Sequence, residues 1–553
     1  MAFRPTTPTP ESIPPADVNL RLNPPSAKDG PTYLHPLNPL LFLLRAAQIY
    51  PDKVALAHPD VKYPVVYTFA VWAQRIQNFA YSLIRAGIKP GDRVAVIAPN
   101  SYTDACHGVL AARAILTPIN TRLRPQEVDY ILDHSGASLI LIDEELLPLI
   151  AGSKLPRIVC KDTGRSDDPY EEFLSEGRRY SQERGWAGLD VEPDENAGAL
   201  LCYTSGTTGR PKGALTTLRG TYLAAIGNAF EGQIDKESTY LWILPMFHAG
   251  GWTFPWSSTF AFATQITLRT VNYPQIWNHF LHSKVTHYCG APTVQIGIVN
   301  DPSARKLARP ISAIIAGAPN NRESAAPTAH LLGALEKIGI KPIHVYGLTG
   351  YDQLFWAKIS LEQRSKLIAR QGHSFATAEG VRVAEMRDDD QIIDVPRDGK
   401  TVGEIVTRGN LVMKEYFRDP EATKKAFRGG YFHSGDLAVM HPDGSIAVVD
   451  RSKDIIISGG ELSSHPHVLE VSVVARAHPV WGERPMAFVI IHPEHVARWS
   501  GRVDEFVKDL MEHAKARLPG FARPDWVEVV PELPKTSTGK ILKTELRKRV
   551  AKL

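Results

Sequence analysis

The segment from Tyr203 to Gly213 reads Tyr-Thr-Ser-Gly-Thr-Thr-Gly-Arg-Pro-Lys-Gly, and it follows directly on the apolar run Ala199 to Cys202. Glycines let backbone amides turn toward a polyphosphate, hydroxyls can donate to its oxygens, and Arg210 and Lys212 can neutralise its charge. The spacing is not that of a Walker A loop, which disfavours a P-loop kinase or ATPase. An ordinary flexible Gly/Thr turn would explain the composition but not the order. The segment therefore predicts a phosphate-binding loop at the end of a buried strand.

Helix and strand patterns alternate on the N-terminal side of this loop. Residues 69 to 84 are apolar at helix spacing, between a capping residue, Thr68, and a glycine stop, Gly87. The aliphatic runs Arg93 to Ala98 and Leu139 to Ile142 have the length and composition of buried strands. Helices placed between such strands indicate a mostly parallel, layered sheet. The fold class expected for this region is α/β.

Composition and charge narrow the classes of function. The chain has 553 residues, too many for one hydrophobic core, so we expect at least two folded units. Its 63 basic and 59 acidic residues nearly cancel, which predicts small-molecule ligands and no nucleic-acid partner. The four cysteines, Cys106, Cys160, Cys202 and Cys289, are too widely spaced for a zinc site or a disulfide scaffold.

Three stretches bear on organisation along the chain. Residues 1–32 are rich in Thr-Pro and Pro-Pro pairs and predict a flexible arm. The uncharged stretch from Tyr240 to Leu268 is long enough to be tested as a membrane span, but its prolines and paired glycines favour strands and turns instead. The charged strip from Asp450 to Asp454 lies between apolar runs and predicts a domain boundary. We expect domains at 33–450 and 451–553, and no transmembrane segment.

Further motifs, in a fixed order along the chain, resemble those of one known family. Together with residues 203–213, the chain resembles the adenylate-forming superfamily, the AMP-binding acyl-CoA synthetases, over nearly everything after residue 38. The other matching segments are Gly87 to Val96, Leu244 to His248, Ala316 to Pro319, Tyr346 to Thr349, Gly403 to Ile405, Ser434 to Leu437, Asp450 to Asp454 and Pro534 to Lys540. The resemblance implies a large N-terminal domain of layered sheets with several subdomains and a small, mobile α+β C-terminal domain.

The resemblance also implies roles for individual residues. Lys540, Thr204 and His248 are implied to be catalytic, with His248 in an acyl-pocket motif and Lys540 neutralising charge at the α-phosphate. Lys453 is implied to be the hinge between the domains, and the segment Ser458, Gly459 and Gly460 is implied to serve the step with coenzyme A. The residues implied to bind ATP or AMP are Thr204, Ser205, Gly206, Thr207, Thr208, Gly209, Lys212, Gly317, Ala318, Pro319, Tyr346, Gly347, Thr349, Asp436 and Arg451.

Simpler interpretations of three of these residues stay open. Asp436 in its Ser-Gly-Asp turn can accept hydrogen bonds from ribose hydroxyls, but an isolated Asp there is usually a turn former. Tyr346 offers an aromatic face to adenine, but taken alone it fits a core tyrosine at a strand end better. His248 beside Trp242, Phe247 and Trp252 fits an acyl pocket or a packed core histidine. These alternatives concern single residues, whereas the order of the motifs concerns the whole chain.

The reaction that the resemblance implies uses ATP, Mg²⁺ and coenzyme A. A carboxylate is a poor electrophile, so it first attacks the α-phosphate of ATP to give an acyl-adenylate, and a thiol then displaces AMP. The small domain pivots between the two half-reactions. The expected function is an AMP-forming acid–CoA ligase for a small or medium-chain carboxylic acid, aliphatic or aromatic.

Two departures from the family pattern favour alternatives. The family places a glutamate for Mg²⁺ after the segment that ends at Thr349, but Gly350 stands there, which leaves Asp352 as a candidate metal ligand. After Glu461 the chain passes through Leu462-Ser463-Ser464 to His465-Pro466 and lacks about ten residues of the family pattern, or about three helical turns. The alternatives are a nucleotide-binding pseudoenzyme and an adenylating enzyme with an impaired CoA step or another acceptor.

The last three residues predict where in the cell the protein is located. Ala551-Lys552-Leu553 is close to the Ser-Lys-Leu tripeptide that directs proteins to peroxisomes. The simpler interpretation is the frayed end of the basic helix that precedes it. We expect the peroxisomal matrix, reached through the peroxisomal import receptor, and otherwise the cytoplasm.

Overall fold

A computed structural model describes most of the chain and divides it into two compact units. The first unit comprises Met1–Cys289, Phe375–Glu379 and Arg408–Arg428, and the second comprises Gly290–Ser374, Gly380–Thr407 and Gly429–Leu553. The predicted domain boundaries, after residue 32 and after residue 450, stay predictions. The described residues are 3–15, 18–22, 35–101, 103–204, 210–315, 329–344, 348–349, 367, 370, 372–387, 389–451, 462, 465–478, 482–518, 523–535, 541 and 543–551.

Helices and strands alternate through both units. The α-helices are α1 Leu40–Ile49, α2 Phe69–Arg85, α3 Asp104–Ala111, α4 Pro125–Ser135, α5 Pro169–Arg184, α6 Leu218–Glu231, α7 Phe254–Phe260, α8 Tyr273–His282, α9 Pro292–Asn300, α10 Ala329–Lys337, α11 Pro420–Ala426, α12 Pro493–Trp499, α13 Val503–Arg517 and α14 Lys543–Val550. The strands are β1 Val54–His58, β2 Val65–Thr68, β3 Arg93–Ile97, β4 Ile115–Pro118, β5 Ala137–Asp143, β6 Arg157–Cys160, β7 Gly198–Thr204, β8 Lys212–Thr217, β9 Thr239–Trp242, β10 Thr264–Thr267, β11 His287–Cys289, β12 Ile311–Ile315, β13 Ile340–His344, β14 Leu348–Thr349, β15 His373–Ser374, β16 Arg382–Ala384, β17 Val402–Thr407, β18 Glu415–Tyr416, β19 Phe432–Met440, β20 Ile446–Arg451, β21 Val468–His478, β22 Gly482–Ile491 and β23 Trp526–Val529.

The sheet that carries the Tyr203–Gly213 segment has the strand order β18-β8-β7-β4-β3-β5-β6. Strands β7, β4, β3, β5 and β6 are parallel, while β8 pairs with β7, and β18 with β8, in antiparallel orientation. The aliphatic runs predicted as strands are confirmed as β3, β5 and β7. A mostly parallel sheet needs helices on its faces, and this one has α2, α3 and α5 in the adjoining hydrophobic core. The α/β class is confirmed.

Residues adjacent to helix α2 in sequence determine where this helix of the core begins and ends. The Thr68 hydroxyl accepts a hydrogen bond from the Val71 amide at 3.3 Å and begins the helix. Gly87 follows the helix with φ of +90°, a conformation that favours glycine. Thirteen residues of α2 are buried, because the helix packs against α1, α3 and α5 on several sides. The predicted helix over 69–84 is thereby confirmed.

A second sheet of the first unit has the order β11-β9-β10-β1-β2. Strands β11, β9, β10 and β1 are parallel, and β2 closes the edge antiparallel to β1. The uncharged stretch from Tyr240 to Leu268 supplies parts of this sheet, with a 3-10 helix and α7 between β9 and β10. The prediction of strands in place of one spanning helix is confirmed, but the stretch also contains two short helices that sequence analysis did not predict. None of the helices in the described part of the chain is both long and apolar enough to cross a membrane.

The second unit contains smaller sheets. Strands β16, β17, β19 and β20 form an antiparallel sheet, and β12 and β13 form a parallel pair. Near the C-terminal end, β21 and β22 are antiparallel and β23 joins β22 in parallel. One face of this three-stranded sheet packs on α13, and the other packs on α14. The small α+β part that the resemblance implies is thereby confirmed.

Candidate active site

The predicted phosphate-binding segment spans the turn of the β7–β8 hairpin. Thr204 is the last residue of β7 and lies opposite Lys212, the first residue of β8. The Thr204 hydroxyl donates to the Lys212 carbonyl oxygen at 3.5 Å. Both side chains are exposed, at the edge where β7 and its parallel neighbours end. Because ligands of parallel α/β sheets bind at the carboxyl ends of the strands, this hairpin occupies a favourable position for a phosphate site.

The two cations of the segment have weak partners. Lys212 Nζ is 3.9 Å from Asp419 Oδ2 and 5.1 Å from the centre of the Tyr416 ring. The Arg210 guanidinium lies 5.3 Å from the centre of the Tyr130 ring. A half-exposed ion pair at this distance contributes little stability. Both cations therefore retain charge with which to bind a phosphate.

A polar cluster, His134, Tyr203, Arg93 and Arg418, holds the base of the hairpin. His134 Nδ1 and Tyr203 Oη are 2.8 Å apart, and Arg418 donates to the His134 carbonyl oxygen at 3.0 Å. Arg93 donates to the carbonyl oxygens of residues 135 and 136 at 2.7 and 2.6 Å. Burial raises the pKa of Tyr203, so its hydroxyl is neutral. Burial, together with the nearby Arg418 charge, lowers the pKa of His134, which favours the neutral imidazole.

The predicted acyl-pocket motif lies at the start of a 3-10 helix, His248–Thr253. The His248 side chain is half-buried, and its ring centre is 6.2 Å from that of Trp252. Gly251 has φ of +58°, and a Cβ atom there would lie 2.8 Å from the Trp242 ring. Glycine is therefore required both by the backbone and by the close packing on Trp242. His248 and Trp252 come together, whereas Trp242 is fully buried in the core.

Asn100 holds this motif in place, and sequence analysis missed it. Its side-chain amide donates to the carbonyl oxygens of Trp242 and Leu244 at 3.3 and 3.0 Å. Its side-chain oxygen accepts the Met246 amide at 2.8 Å. Asn100 is 5% exposed, so these bonds replace water. The sequence gives only a weak signal for this residue, the Pro99-Asn100-Ser101 turn after β3.

The predicted ribose-binding residue, Asp436, lies in β19 and is 4% exposed. Its amide donates to Ser434 Oγ at 3.1 Å, and Gly435 between them has φ of +74°. Glu404 on β17 accepts the Gly435 amide at 2.8 Å through one oxygen and lies 2.8 Å from His433 Nδ1 through the other. The sequence marks Glu404 only as part of the Gly403 to Ile405 motif. The structure assigns it to fixing the Ser-Gly-Asp turn.

Two further predicted residues in the second unit have a described backbone. Arg451 ends β20 and lies opposite Asp436 in the antiparallel register of β19 and β20. Thr349 ends β14 and pairs with His373. The predicted residues that lie outside the described part of the chain are Ser205, Gly206, Thr207, Thr208, Gly209, Gly317, Ala318, Pro319, Tyr346, Gly347, Gly350, Asp352, Lys453, Ser458, Gly459, Gly460, Glu461, Lys540, Lys552 and Leu553.

Comparison with known families matches most of the chain. The family described as AMP-binding enzyme matches residues 43–417, and the AMP-binding enzyme C-terminal domain matches residues 461–540. The first match alone covers more than half of the 553 residues.

Named relatives are similar over nearly their whole length. An acetate/butyrate–CoA ligase of Arabidopsis thaliana, named as peroxisomal, is 37% identical over 94% of this chain and 95% of its own. A trans-cinnamate:CoA ligase of Petunia hybrida, also named as peroxisomal, is 35% identical over the same shares. Neither name supports the pseudoenzyme alternative.

Solved structures share the fold. A benzoate CoA ligase from Burkholderia xenovorans has a TM-score of 0.76 and 21% identity, over 92% of this chain and 99% of that one. An ATP-bound chimaera named RpMatB-BxBclM also has a TM-score of 0.76, over 93% and 99%. The chain therefore belongs to the AMP-binding enzyme family of adenylate-forming acyl-CoA synthetases, and the prediction of an AMP-forming acid–CoA ligase that uses ATP and coenzyme A is confirmed.

Proposed function

We propose that this ligase activates small monocarboxylic acids, aliphatic or aromatic, in the peroxisomal matrix. The structural observation that carries ATP-dependent activation is the β7–β8 hairpin, where Thr204 and Lys212 flank the glycine-rich turn at the carboxyl end of a parallel strand. The small size of the acid is supported by relatives named for acetate, butyrate, benzoate and trans-cinnamate. The half-buried pair of His248 and Trp252 offers an aromatic wall for such an acid.

In the first half-reaction, we assign the triphosphate to the hairpin. Amides and hydroxyls of residues 204–209 bind the phosphate oxygens, and Lys212 neutralises charge on the departing pyrophosphate. Gly317, Ala318 and Pro319, with Tyr346 and its neighbours, enclose the adenine. Lys540 neutralises charge that develops at the α-phosphate. The product is an acyl-adenylate, whose AMP group is a far better leaving group than the oxygen of a carboxylate.

The ribose and the second half-reaction are assigned to the second unit. Asp436, fixed in its turn by Ser434 and Glu404, accepts hydrogen bonds from ribose hydroxyls, and Arg451 lies on the neighbouring strand. Residues 451–553 form the mobile small domain, which pivots at Lys453, and 33–450 form the large one after a Pro-rich arm, 1–32. The described part of this arm is docked and not flexible as predicted, because the Thr6 amide donates to the Val66 carbonyl oxygen at 3.0 Å and Leu22 is buried in the core. The Ser458 to Gly460 segment then serves the attack of coenzyme A on the acyl-adenylate.

We also propose that Mg²⁺ accompanies ATP. Mg²⁺ prefers oxygen ligands and keeps several waters, so it is usually bound by phosphates and one or two protein oxygens. The exposed Thr204 hydroxyl at the end of β7 fits this donor set, and Asp352 is the candidate carboxylate. When bound, the ion supplies positive charge to the phosphate oxygens.

The reaction is tested by ATP–pyrophosphate exchange with acetate, butyrate, benzoate and trans-cinnamate, followed by assay of CoA thioester formation. Exchange and thioester formation with at least one acid support the proposal. Exchange without thioester indicates the impaired CoA step or another acceptor, which the shortened segment after Glu461 favours. Nucleotide binding without exchange for any acid indicates the pseudoenzyme and contradicts the proposal. Reactions without acid serve as the background.

Location is tested separately from chemistry. A fluorescent protein fused to the N-terminus should appear in peroxisomal puncta, because Ala551-Lys552-Leu553 then remains free for the import receptor. The matched control is the same fusion without these three residues, which should be diffuse. A diffuse signal in both proteins would rule out this address.

A further inference from the structure

Five histidine rings lie in a row, each close to the next, beside the C-terminal three-stranded sheet. The ring centres are 5.0 Å apart for His513 and His465, 5.2 Å for His465 and His467, and 4.1 Å for His467 and His495. His492 follows at 6.0 Å from His495. We call these five residues the histidine cluster. The proposed acyl-CoA chemistry assigns no role to any of them.

The fold brings three separate sequence segments to this place. Antiparallel pairing of β21 and β22 sets His467 beside His492, whose amide donates to the His467 carbonyl oxygen at 2.9 Å. His495 lies one turn further on, in α12. Helix α13 contributes Asp509 and His513, which share a face because they are four residues apart. Sheet and helix thus position the cluster, and no ligand is needed to assemble it.

Three members of this region have the donor atoms and spacing of a metal site. One ligand atom from each of His465, His467 and Asp509 lies within 4.8 Å of the others. His465 Nε2 and Asp509 Oδ2 are 3.2 Å apart, close to the ~3.4 Å that separates two ligands of a tetrahedral zinc ion with ~2.1 Å bonds. Imidazole nitrogen and carboxylate oxygen are both common zinc ligands. We propose that His465, His467 and Asp509 bind Zn²⁺ and leave the fourth position to water or to a neighbouring histidine.

The site has both a buried floor and an entry path. His465 is 4% exposed, His467 is half-buried, and half of the Asp509 side chain is exposed to solvent. An ion can therefore reach Asp509 from solvent and displace little protein. The two imidazoles supply ligands without adding negative charge. Because Asp509 is the one negatively charged ligand of the three, the zinc-loaded site has a net positive charge.

Hydrogen bonds at the second ring nitrogens predict how the site responds to an ion. The His467 amide donates to His465 Nδ1 at 3.2 Å, and Trp499 Nε1 donates to His467 Nδ1 at 3.1 Å. With Nδ1 accepting, the proton of neutral His465 lies on Nε2 and is donated to Asp509. Zinc at Nε2 takes the place of that proton, the neutral ring then carries its proton on Nδ1, and the hydrogen bond from the His467 amide is lost. The same exchange at His467 puts a proton on its Nδ1, so the Trp499 indole loses its acceptor, and this makes Trp499 a local reporter.

The position of the site indicates what a bound ion would do. His465 lies just after Glu461, where the sequence is shorter than the family pattern. An ion shared by His465, His467 and Asp509 would fasten the chain that enters β21 to helix α13. Metal cross-links of this kind add binding free energy to the folded state only. The inferred role is therefore stabilisation of the small sheet by a bound ion.

The test is calorimetric titration of the full chain with Zn²⁺ after treatment with a chelator. Wild type should bind one zinc ion per chain, and Mg²⁺ should give no heat at this site because it prefers all-oxygen ligands. Asp509→Asn keeps the shape of a half-exposed side chain and should weaken zinc binding at least ~10-fold, as should His465→Gln. The matched control is His282→Gln, which removes an exposed histidine from helix α8 of the first unit.

Tryptophan fluorescence tests whether the zinc ion binds next to Trp499. Zinc should change the emission of wild type, and Trp499→Phe should abolish most of that change while retaining zinc binding. Should His465→Gln fail to fold, Asp509→Asn and Trp499→Phe still decide the question. Equal zinc affinity in wild type and Asp509→Asn, or an unchanged fluorescence response in Trp499→Phe, would overturn the proposal and leave the cluster as packed imidazoles only.

Discussion

The β7–β8 hairpin and the Ser434–Asp436 turn are both candidate nucleotide-binding elements, but a side chain of the first is exposed and weakly paired, whereas the backbone of the second is fixed by hydrogen bonds. Lys212 of the hairpin is 45% exposed and lies 3.9 Å from its carboxylate partner. Asp436 is 4% exposed, and the turn that presents it is fixed by hydrogen bonds of 2.8 and 3.1 Å. The hairpin offers a cation that is free to change position, whereas the turn offers a hydrogen-bond acceptor on a fixed backbone.

This difference suits the two parts of a nucleotide. A polyphosphate carries several charges and leaves the site as pyrophosphate, so weakly paired cations can follow it. A ribose stays attached to AMP through both half-reactions and is bound by hydrogen bonds, which need fixed geometry. Changes in the hairpin should therefore alter salt-dependent affinity or rate. Changes in the turn should alter stability and nucleotide affinity together.

The largest effect is expected from Lys540→Ala, which removes the cation assigned to the transition state of adenylation. Adenylation should slow ~10²–10³-fold, as is typical for loss of a preorganised charge donor. Thioester formation from preformed acyl-adenylate should be comparatively intact, because Lys540 acts on the first half-reaction only. Single-turnover assays of each half-reaction measure this. Equal slowing of both would remove the assignment.

A smaller effect is expected from Glu404→Ala, which tests the fixed turn. The change leaves the Gly435 amide without its acceptor and removes the His433 partner, so the free energy of unfolding should fall by ~1.5–3 kcal/mol. ATP affinity should fall ~10-fold or more, because the Asp436 turn loosens. Chemical denaturation and calorimetry measure the two quantities.

Glu404→Gln is the matched control for that change. The glutamine keeps the length of the side chain and an oxygen that accepts the Gly435 amide. It should therefore recover most of the lost stability and affinity. Full ATP affinity in Glu404→Ala would show that Asp436 does not depend on this support.

Elements with a local signal were predictable from sequence. Helix α2 follows from Thr68, the apolar spacing and Gly87, and β7 follows from an aliphatic run next to a glycine-rich segment. The loop after β7 was predicted from residues adjacent in sequence, whereas its return as strand β8 was not. These features depend on contacts within a few residues, which the sequence order records directly.

The supporting side chains were not predictable, because their partners are distant in sequence. Asn100 bonds to residues 242–246, and Asp419 lies beside Lys212, yet neither pair leaves a local pattern. The His-Pro-His and His-Pro-Glu-His segments are visible in the sequence, but their proximity requires the register of β21 and β22. The residues expected to touch substrate lie in local motifs, whereas the residues that hold them in place do not.

A more modest effect is expected from Lys212→Ala, which tests the adjustable charge of the hairpin. One half-exposed cation contributes at most ~1 kcal/mol, so ATP affinity should fall ~5-fold at low salt. The loss should shrink as ionic strength rises, because salt screens exposed charges. Lys212→Arg keeps the charge and should retain most of the affinity. A salt-independent loss would indicate that Lys212 is held as rigidly as the turn.

The smallest effect, and the sharpest test of the contrast, is expected from Asp419→Asn. Asp419 caps helix α11 by accepting the Ala422 amide at 2.9 Å, and asparagine is an equally good cap, so the helix should be retained. The substitution removes only the charge that faces Lys212. Because that pair is long and exposed, freeing the lysine should raise ATP affinity by no more than ~2-fold, with unchanged stability. A matched Asp398→Asn change, at an exposed carboxylate of the second unit, should leave ATP affinity unaltered. A large gain in affinity would mean that Asp419 restrains Lys212 strongly, and the hairpin would then be as fixed as the Ser434–Asp436 turn.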